Sequence, residues 1–384
     1  MTQNAFEILK ERGFVAQTND EAAIRAALGG KALTYYIGFD PTASSLHCGS
    51  LVPIMAMAHM QRAGHKPVAL VGGGTAAVGD PSGKTEMRQM LSFEDISANG
   101  RGILGQLQRY LQLDGSAGMS ANNADWLMQL NYIEFLRDIG RYFRVNEMIR
   151  ADAYRARLER EEGLSFIEFN YQLLQAYDYL QLFERHDCVL QMGGDDQWSN
   201  ILAGTDLIRR KHAKQAFCIT FPLLTTARGE KMGKTAAGAV WLDAERTRPY
   251  DFYQYWINTD DRDVRKFLAL FTFLPMAEVE RLGAAQGAEL NAAKEVLAYE
   301  ATSLCHGAGA ADEARSAAKA AFGGGGDLSA MPSTTVTHDR LAAGIAVLDL
   351  FVETGLTPSK GEARRLVQQG GAYVNDVVIS DAQA

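Results

Sequence analysis

Residues suited to handling a nucleotide and a polar small molecule fall in four stretches of the chain. The first runs from Tyr36 to Ser50 and gathers Thr42, Ser44, Ser45 and His47 ahead of an apolar helical pattern. Free amide N–H groups and the positive dipole end at a helix N-terminus favour an anion, so a phosphate fits this turn. The plainer reading is that the same side chains cap the helix. The second stretch, Arg228 to Thr235, places Lys231 and Lys234 in a glycine-flanked loop, which closes over phosphates or is solvated surface. The third is Gly193-Gly194-Asp195-Asp196-Gln197-Trp198. Paired glycines let a ligand approach the backbone, and a carboxylate at a strand's end holds a ribose hydroxyl pair, unless the aspartates only cap a helix. In the fourth, Tyr171, Gln175 and Asp178 share one helix face at i, i+4 and i+7. Such a face is commonly solvated, but Leu174, Ala176, Tyr177, Leu180 and Leu182 leave little of this helix for water, which favours a pocket.

The elements that must position these residues alternate. Leu33 to Ile37 is a strand pattern, stopped by Gly38 and Asp40-Pro41, and a helix follows from Gly49 to Ala63. With a second strand at Pro67–Val71, the default is a right-handed parallel crossover. Two short helices fill residues 5 to 30. The glycine-rich run after the second strand fits neither nucleotide fingerprint. A P-loop needs glycine where Val78 stands, and Pro81 removes a donor. What remains is a loop carrying Asp80, Lys84 and Arg88 at a strand's carboxyl end, the edge where open parallel sheets bind ligands. Helical patterns cover most of 93 to 186, broken at Gly115–Asn123 and Gly163, and strands are expected at Cys188–Met192 and Phe217–Phe221. The helix between them ends in Arg209, Arg210, Lys211 and His212, a plain C-terminal cap or a phosphate contact. Residues 246 to 322 read as helical and Gly323 through Ser333 as a linker. Two short helices then precede a strand–turn–strand ending at Ile379. Lys360, Arg364 and Arg365 make the second of those helices basic.

A chain of 384 residues implies two or three domains. Its formal charge of −8 opposes indiscriminate binding to a polyphosphate, so any RNA contact must use local patches. Four scattered cysteines and seven histidines without ligand spacing argue against a disulfide framework or a metal site. Neither a membrane span nor a secretion signal is present, and a cytoplasmic protein is expected.

In order and with their flanks, these stretches resemble bacterial tyrosyl-tRNA synthetases, of the class I aminoacyl-tRNA synthetases, over essentially the whole chain. Tyr36 to Ser50 looks like the class's His-x-Gly-His region, Lys231 to Thr235 like its Lys-Met-Ser-Lys-Ser loop, and Gly193 to Trp198 like the segment between them. The resemblance implies an α/β fold. A Rossmann-like parallel-sheet catalytic domain (1–240) precedes an α-helical anticodon-recognition domain (241–322), a linker (323–337) and a partial α+β RNA-binding domain (338–384) that stops early. It further implies a homodimer that activates L-tyrosine with ATP, accompanied by Mg2+, and passes tyrosine to tRNA(Tyr). By this resemblance Tyr36 and Asp178 meet the phenol, Asp80, Tyr171 and Gln175 the ammonium, and Gln197 the carboxylate. Gly38, Asp40, Gly49, Gly194 and Asp196 surround ATP, and Arg209, Arg210, Lys360, Arg364 and Arg365 face tRNA. The incoming carboxylate is already ionised, so catalysis needs alignment and charge stabilisation on the phosphates, a task for Thr42, His47, Lys84, Arg88, Lys231 and Lys234. The signature's last histidine is Ser50 here, which is left out of the catalytic set. Gly233 and Thr235 stand where the class pattern has serines. The alternatives are a tryptophanyl-tRNA synthetase with an indole pocket, a small nucleotidyltransferase, and a non-catalytic RNA-binding relative. Tyr36 with Asp178 favours a phenol, the helical and C-terminal segments disfavour the second, and both loop lysines disfavour the third.

Overall fold

The alternation of strands and helices produces one sheet of six strands: Gln17–Thr18 (β1), Thr34–Phe39 (β2), Lys66–Val71 (β3), Met119–Asn122 (β4), Cys188–Gly194 (β5) and Phe217–Phe221 (β6). Their order is β1-β6-β5-β2-β3-β4. β2 pairs in parallel with β3 on one side and β5 on the other, and β3–β4 and β5–β6 are also parallel. β1 runs antiparallel along β6. The order reverses between β2 and β5, so ligands are expected in the crevice beyond their carboxyl ends. The turn after β2 and Asp195–Gln197 after β5 therefore stand side by side. The computed structural model describes residues 3–82, 90–151, 154–155, 158–159, 163–229, 231–235, 238–323, 333–342, 344–375 and 377–383. Lys84, Arg88 and most of the expected linker lie outside them.

Helices Ala5–Arg12, Glu21–Leu28 and Leu51–Arg62 form where caps and periodicity predict. Asn4 accepts the Phe6 amide and Asp20 the Ala23 amide at the first two N-termini. Strand β4 is a departure, because it lies in the stretch read as a break between helices. Met-Ser-Ala-Asn is too short and polar to show alternation, and pairing of Met119 with Val68 and of Asn122 with Val71 makes it a strand. β1 likewise exists through pairing with Thr220 and Ile219.

The helix Phe166–His186 starts with a capping box between Ser165 and Glu168 and stops where Asp187 turns left-handed at φ 50°. Its inner face joins Tyr36, Val68, Leu70, Leu173, Ala176, Tyr179 and Leu180 in one core. The next helix, Trp198–His212, lies against it through Gly204, where an added Cβ would come within 2.8 Å of the Tyr179 ring.

Residues 249–306 supply four more helices, Pro249–Ile257, Val264–Phe271, Met276–Gly283 and Ala288–His306. Trp256 is fully buried among Phe252, Phe267 and Phe271. Arg12 closes the free end of Val264–Phe271, donating to the carbonyls of Ala269 (2.9 Å), Thr272 (3.1 Å) and Leu274 (2.6 Å).

The chain divides into two compact units, Met1–Lys234 with Ala239–Arg315, and Thr235–Gly238 with Ser316–Ala384. The second has its own small core of Val347, Leu348, Phe351, Ala363, Val367 and Ala372. It is built from helices Val347–Glu353 and Lys360–Gln368 and an antiparallel pair, Tyr373–Val374 with Val377–Val378. No described helix is long and apolar enough to cross a membrane.

Since Gly204 sets how closely two helices approach, Gly204→Val is expected to cost about 1–3 kcal/mol by overpacking. Thermal denaturation reads this directly, and an unchanged melting temperature would refute the close contact.

Candidate active site

Asp178 reaches the carboxyl edge of the sheet from the middle of its helix and is only 2% exposed. Its Oδ1 accepts from Trp126 Nε1 at 2.7 Å and its Oδ2 from Asn123 Nδ2 at 2.8 Å. Burial pushes the Asp178 carboxyl up to about 8, although both donors favour its ionised form. Tyr36 projects from β2, and its hydroxyl is buried without a hydrogen-bond partner. Burial, and then the charge of Asp178, hold that phenol well above its ordinary range. A buried hydroxyl lacking a partner is costly, so a ligand group arriving here with both a donor and an acceptor is favoured. Gln191, opposite Tyr36 in the β2–β5 ladder, also buries a partnerless Oε1.

From Asp178 a ladder of polar contacts crosses the site. Asn123 Nδ2 also donates to Thr75 Oγ1 at 2.9 Å, Thr75 donates to Asp40 Oδ1 at 2.7 Å, and Tyr171 Oη donates to Asp40 Oδ2 at 2.9 Å. The Tyr171 phenol is raised well above its usual range by burial and by the charges of Asp40, Asp80 and Asp178. Asp80 accepts from Gln197 Nε2 at 2.7 Å and from the Ser82 amide at 2.9 Å. Gln197 in turn accepts from Asn200 at 3.1 Å. Three carboxyl groups around one phenol make this a region for a cation such as an ammonium. Gln175 is half-buried on the same helix. Asp40, assigned to ATP by resemblance, here spends both oxygens on Thr75 and Tyr171.

The side assigned to the nucleotide by resemblance is more open. Gly38 is the one exposed residue of β2, and a Cβ there would meet nothing within 4 Å. Of the adjacent aspartates, Asp195 ties the sheet edge together, accepting from Gln17 Nε2 and Thr220 Oγ1, each at 2.7 Å. Asp196 is exposed, beside Gly194, where an added Cβ would lie 2.5 Å from its Oδ1.

The turn after β2 divides between the two sequence readings. Ser45 is structural, donating to the Leu46 carbonyl at 2.7 Å and accepting from Gln106 at 3.0 Å. Ser44 accepts from Arg246 at 3.3 Å. Thr42 is exposed and His47 half-buried. His47 Nδ1 accepts from the Gly49 amide at 3.0 Å, so in the neutral ring Nε2 carries the proton and is the donor. Ser50 caps the helix Leu51–Arg62 without a side-chain bond. Against this turn lies the lysine loop. Gly233, at φ +79°, comes so close that an added Cβ would lie 2.6 Å from the Gly49 nitrogen. Lys231 is exposed, and Lys234 opens the short strand Lys234–Thr235.

The basic helix end is largely neutralised by its neighbours. Arg209 pairs with Asp206 at 2.8 Å, Arg210 with Glu147 and Asp206 at 3.2 Å each, and Lys211 and His212 with Glu184. Lys360 pairs with Asp349, while Arg364 and Arg365 are exposed. Sequence reasoning missed Thr75, Asn123, Trp126 and Gln191. The first three lie just past strand ends, and recognising β4 would have put Asn123 at the ligand-binding edge. Among the described residues, no group of three or more histidine, cysteine, aspartate or glutamate side chains is arranged to hold a metal ion.

Residues 29–323 match the family model described as tRNA synthetases class I (W and Y). A tyrosine–tRNA ligase of Desulfosudis oleivorans is 59% identical over 96% of this chain and 90% of its own. One from Clostridium tetani is 55% identical over 99% and 93%. Among solved structures, the C-terminally truncated mitochondrial tyrosyl-tRNA synthetase of Aspergillus nidulans superposes with a TM-score of 0.75 at 30% identity, covering 83% of this chain and 94% of that one. The chain therefore belongs to the class I tRNA synthetases of the W and Y type and, within them, to the tyrosine–tRNA ligases.

Proposed function

We propose that the chain activates L-tyrosine with ATP and its Mg2+ to tyrosyl-adenylate, releases pyrophosphate, and passes the tyrosyl group to the terminal ribose of tRNA(Tyr). The observation that carries this reading is the buried Asp178 beside the partnerless hydroxyl of Tyr36. A phenol O–H both donates and accepts, so it satisfies the two together. An indole N–H only donates, so it meets Asp178 or the Tyr36 hydroxyl but not both. Phenylalanine brings neither group. The ammonium is met by Asp80, Tyr171 and Gln175, and Gln197 lies toward the carboxylate.

The tyrosine carboxylate oxygen attacks the α-phosphorus of ATP, and the bond to the bridging oxygen of pyrophosphate breaks. No base is required. Thr42, the Nε2–H of His47, and Lys84, Arg88, Lys231 and Lys234 stabilise charge on the phosphates, while Gly38, Gly49, Gly194, Asp40 and Asp196 line the nucleotide. Lysines on a loop engage most strongly once charge has moved onto pyrophosphate, which raises the chemical rate more than ATP affinity. The helical residues 241–322 and Arg209, Arg210, Lys360, Arg364 and Arg365 are offered to tRNA. Among the described residues, eight of the sixteen exposed large apolar side chains lie between Met128 and Phe166, among them Tyr132, Ile133 and Val145, and this apolar exposure supports self-association of a cytoplasmic homodimer.

ATP–pyrophosphate exchange against all twenty amino acids tests the reading. Stimulation by tyrosine is expected, and stimulation by tryptophan instead would overturn it. Lys234→Ala should slow adenylate formation at least tenfold and shift ATP affinity far less, as resolved by pre-steady-state kinetics. Asp178→Asn separates function from stability. The folded carboxyl titrates at about 8 against an ordinary 3.8, so the folded state holds its proton more tightly. That contribution to stability is complete below pH 3.8 and is lost as pH rises through about 8. The variant should therefore gain melting temperature over the parent progressively across that window. It should also lose discrimination against phenylalanine in exchange kinetics. Parallel melting curves at every pH would contradict the buried titration.

A further inference from the structure

The lysine loop is gripped from one side by the helices Pro249–Ile257 and Val264–Phe271 and the turn between them. Asp263 is 2% exposed, and its Oδ2 accepts the Ala227 amide at 2.6 Å. Its Oδ1 pairs at 2.6 Å with Lys266, whose ammonium also donates to the Thr225 carbonyl at 3.1 Å. One ion pair, buried on the Asp263 side and partly exposed at Lys266, thus takes hold of the backbone two residues apart. Thr225 bridges to Lys231 across the loop, and the Met232 amide donates to Leu224 at 3.1 Å. At the other arm, Tyr255 Oη accepts the Gly233 amide at 3.2 Å and lies 3.4 Å from Met232 Sδ. The two grips fall on either side of Lys231 and immediately before Lys234.

We propose that Asp263 and Tyr255 are positioning residues for adenylate formation. They fix the backbone from which the two lysines reach the phosphates beside His47. This rests on the phosphate role given to those lysines above. Lysines that must strengthen their contacts only in the transition state gain from a base of fixed position, because a wandering loop spends part of each contact on ordering itself. Gly233 is where the grip matters most. Its left-handed backbone is pressed against Gly49 with its amide on Tyr255, so freeing that amide loosens the tip and leaves the His47 turn intact.

The test is a pre-steady-state measurement of tyrosyl-adenylate formation by the full chain, comparing the parent with Tyr255→Phe, Asp263→Ala, Asp263→Asn and Lys234→Ala. Tyr255→Phe should slow the step roughly three- to tenfold at unchanged tyrosine affinity, since the bond accepted from the Gly233 amide and the contact with Met232 Sδ are both lost. Asp263→Asn keeps an acceptor for the Ala227 amide and should rescue part of the rate lost in Asp263→Ala, which also separates positioning from unfolding. If Lys234→Ala is slow while Tyr255→Phe and both Asp263 variants run at the parent rate, the positioning role is refuted and the phosphate role of the lysines stands. Losses confined to tyrosine affinity would refute it as well. Should Lys234→Ala itself run at the parent rate, the phosphate role falls and the positioning role falls with it.

Discussion

A carboxyl group buried at the carboxyl edge of the sheet is the constraint to which most of this site answers. Asp178 sits between helix and sheet, where taking a charge out of water is expensive, and Trp126 and Asn123 offset part of that cost by donating to both its oxygens. Every partner must then be held in turn. Asn123 is fixed by the Gly74 amide at 2.7 Å, and Thr75 carries the chain of contacts to Asp40. The run Gly72-Gly73-Gly74 follows from the same need. A Cβ on Gly72 would collide with the Asp40 carboxylate, and one on Gly73 with the Asn122 amide. Gly72 and Gly73 are small so that polar side chains can converge on them, while Gly74 makes room for Leu127.

This explains which parts of the molecule could be read from sequence. Helix Phe166–His186 announces itself by Ser165 and Glu168 at one end and by the apolar run that surrounds Asp178. β2, β3, β5 and β6 are apolar enough to be read directly, since buried parallel strands lack polar alternation. β1 and β4 carry no such signal and exist because an edge of the sheet is there to pair with. With β4 unseen, Asn123 reads as the end of a break between helices and Trp126 as part of the helical pattern after it, although both bond directly to Asp178. A pocket residue's type can be guessed from its own helix, but what holds it in place comes from distant segments and is fixed only by tertiary pairing.

The same limit applies to charge. Arg209, Arg210, Lys211 and His212 read as one positive block, yet Asp206, Glu147 and Glu184 pair with all of them. Two of those acids come from other helices, beyond the reach of local patterning. Exposed pairs of this kind are weak, and they reorganise readily when a phosphate competes for the arginine. Pairing therefore lowers the field of this helix end toward arbitrary anions without removing its capacity to meet a fitted one. This accords with a chain of net charge −8 that must still reject most polyphosphates.

The two ends of the site also differ in how they are built. At the phenol end, contacts are buried, reciprocal and mounted on strand β2 and a 21-residue helix, so little can move without leaving a polar atom unpaired. At the end proposed for the phosphates, Thr42, Lys231 and Asp196 are exposed, and the groups that meet there are carried on turns. Rigid, desolvated contacts reject a wrong side chain, because the penalty of an unmatched group cannot relax away. Solvated cations discriminate poorly, but they strengthen their contacts as charge moves onto a departing pyrophosphate. Choice of amino acid and speed of activation can thus be set by separate parts of one sheet edge. The Asp40 carboxylate, bonded to Thr75 on the first side and Tyr171 at the centre, ties the Asp178 cluster to the middle of that edge.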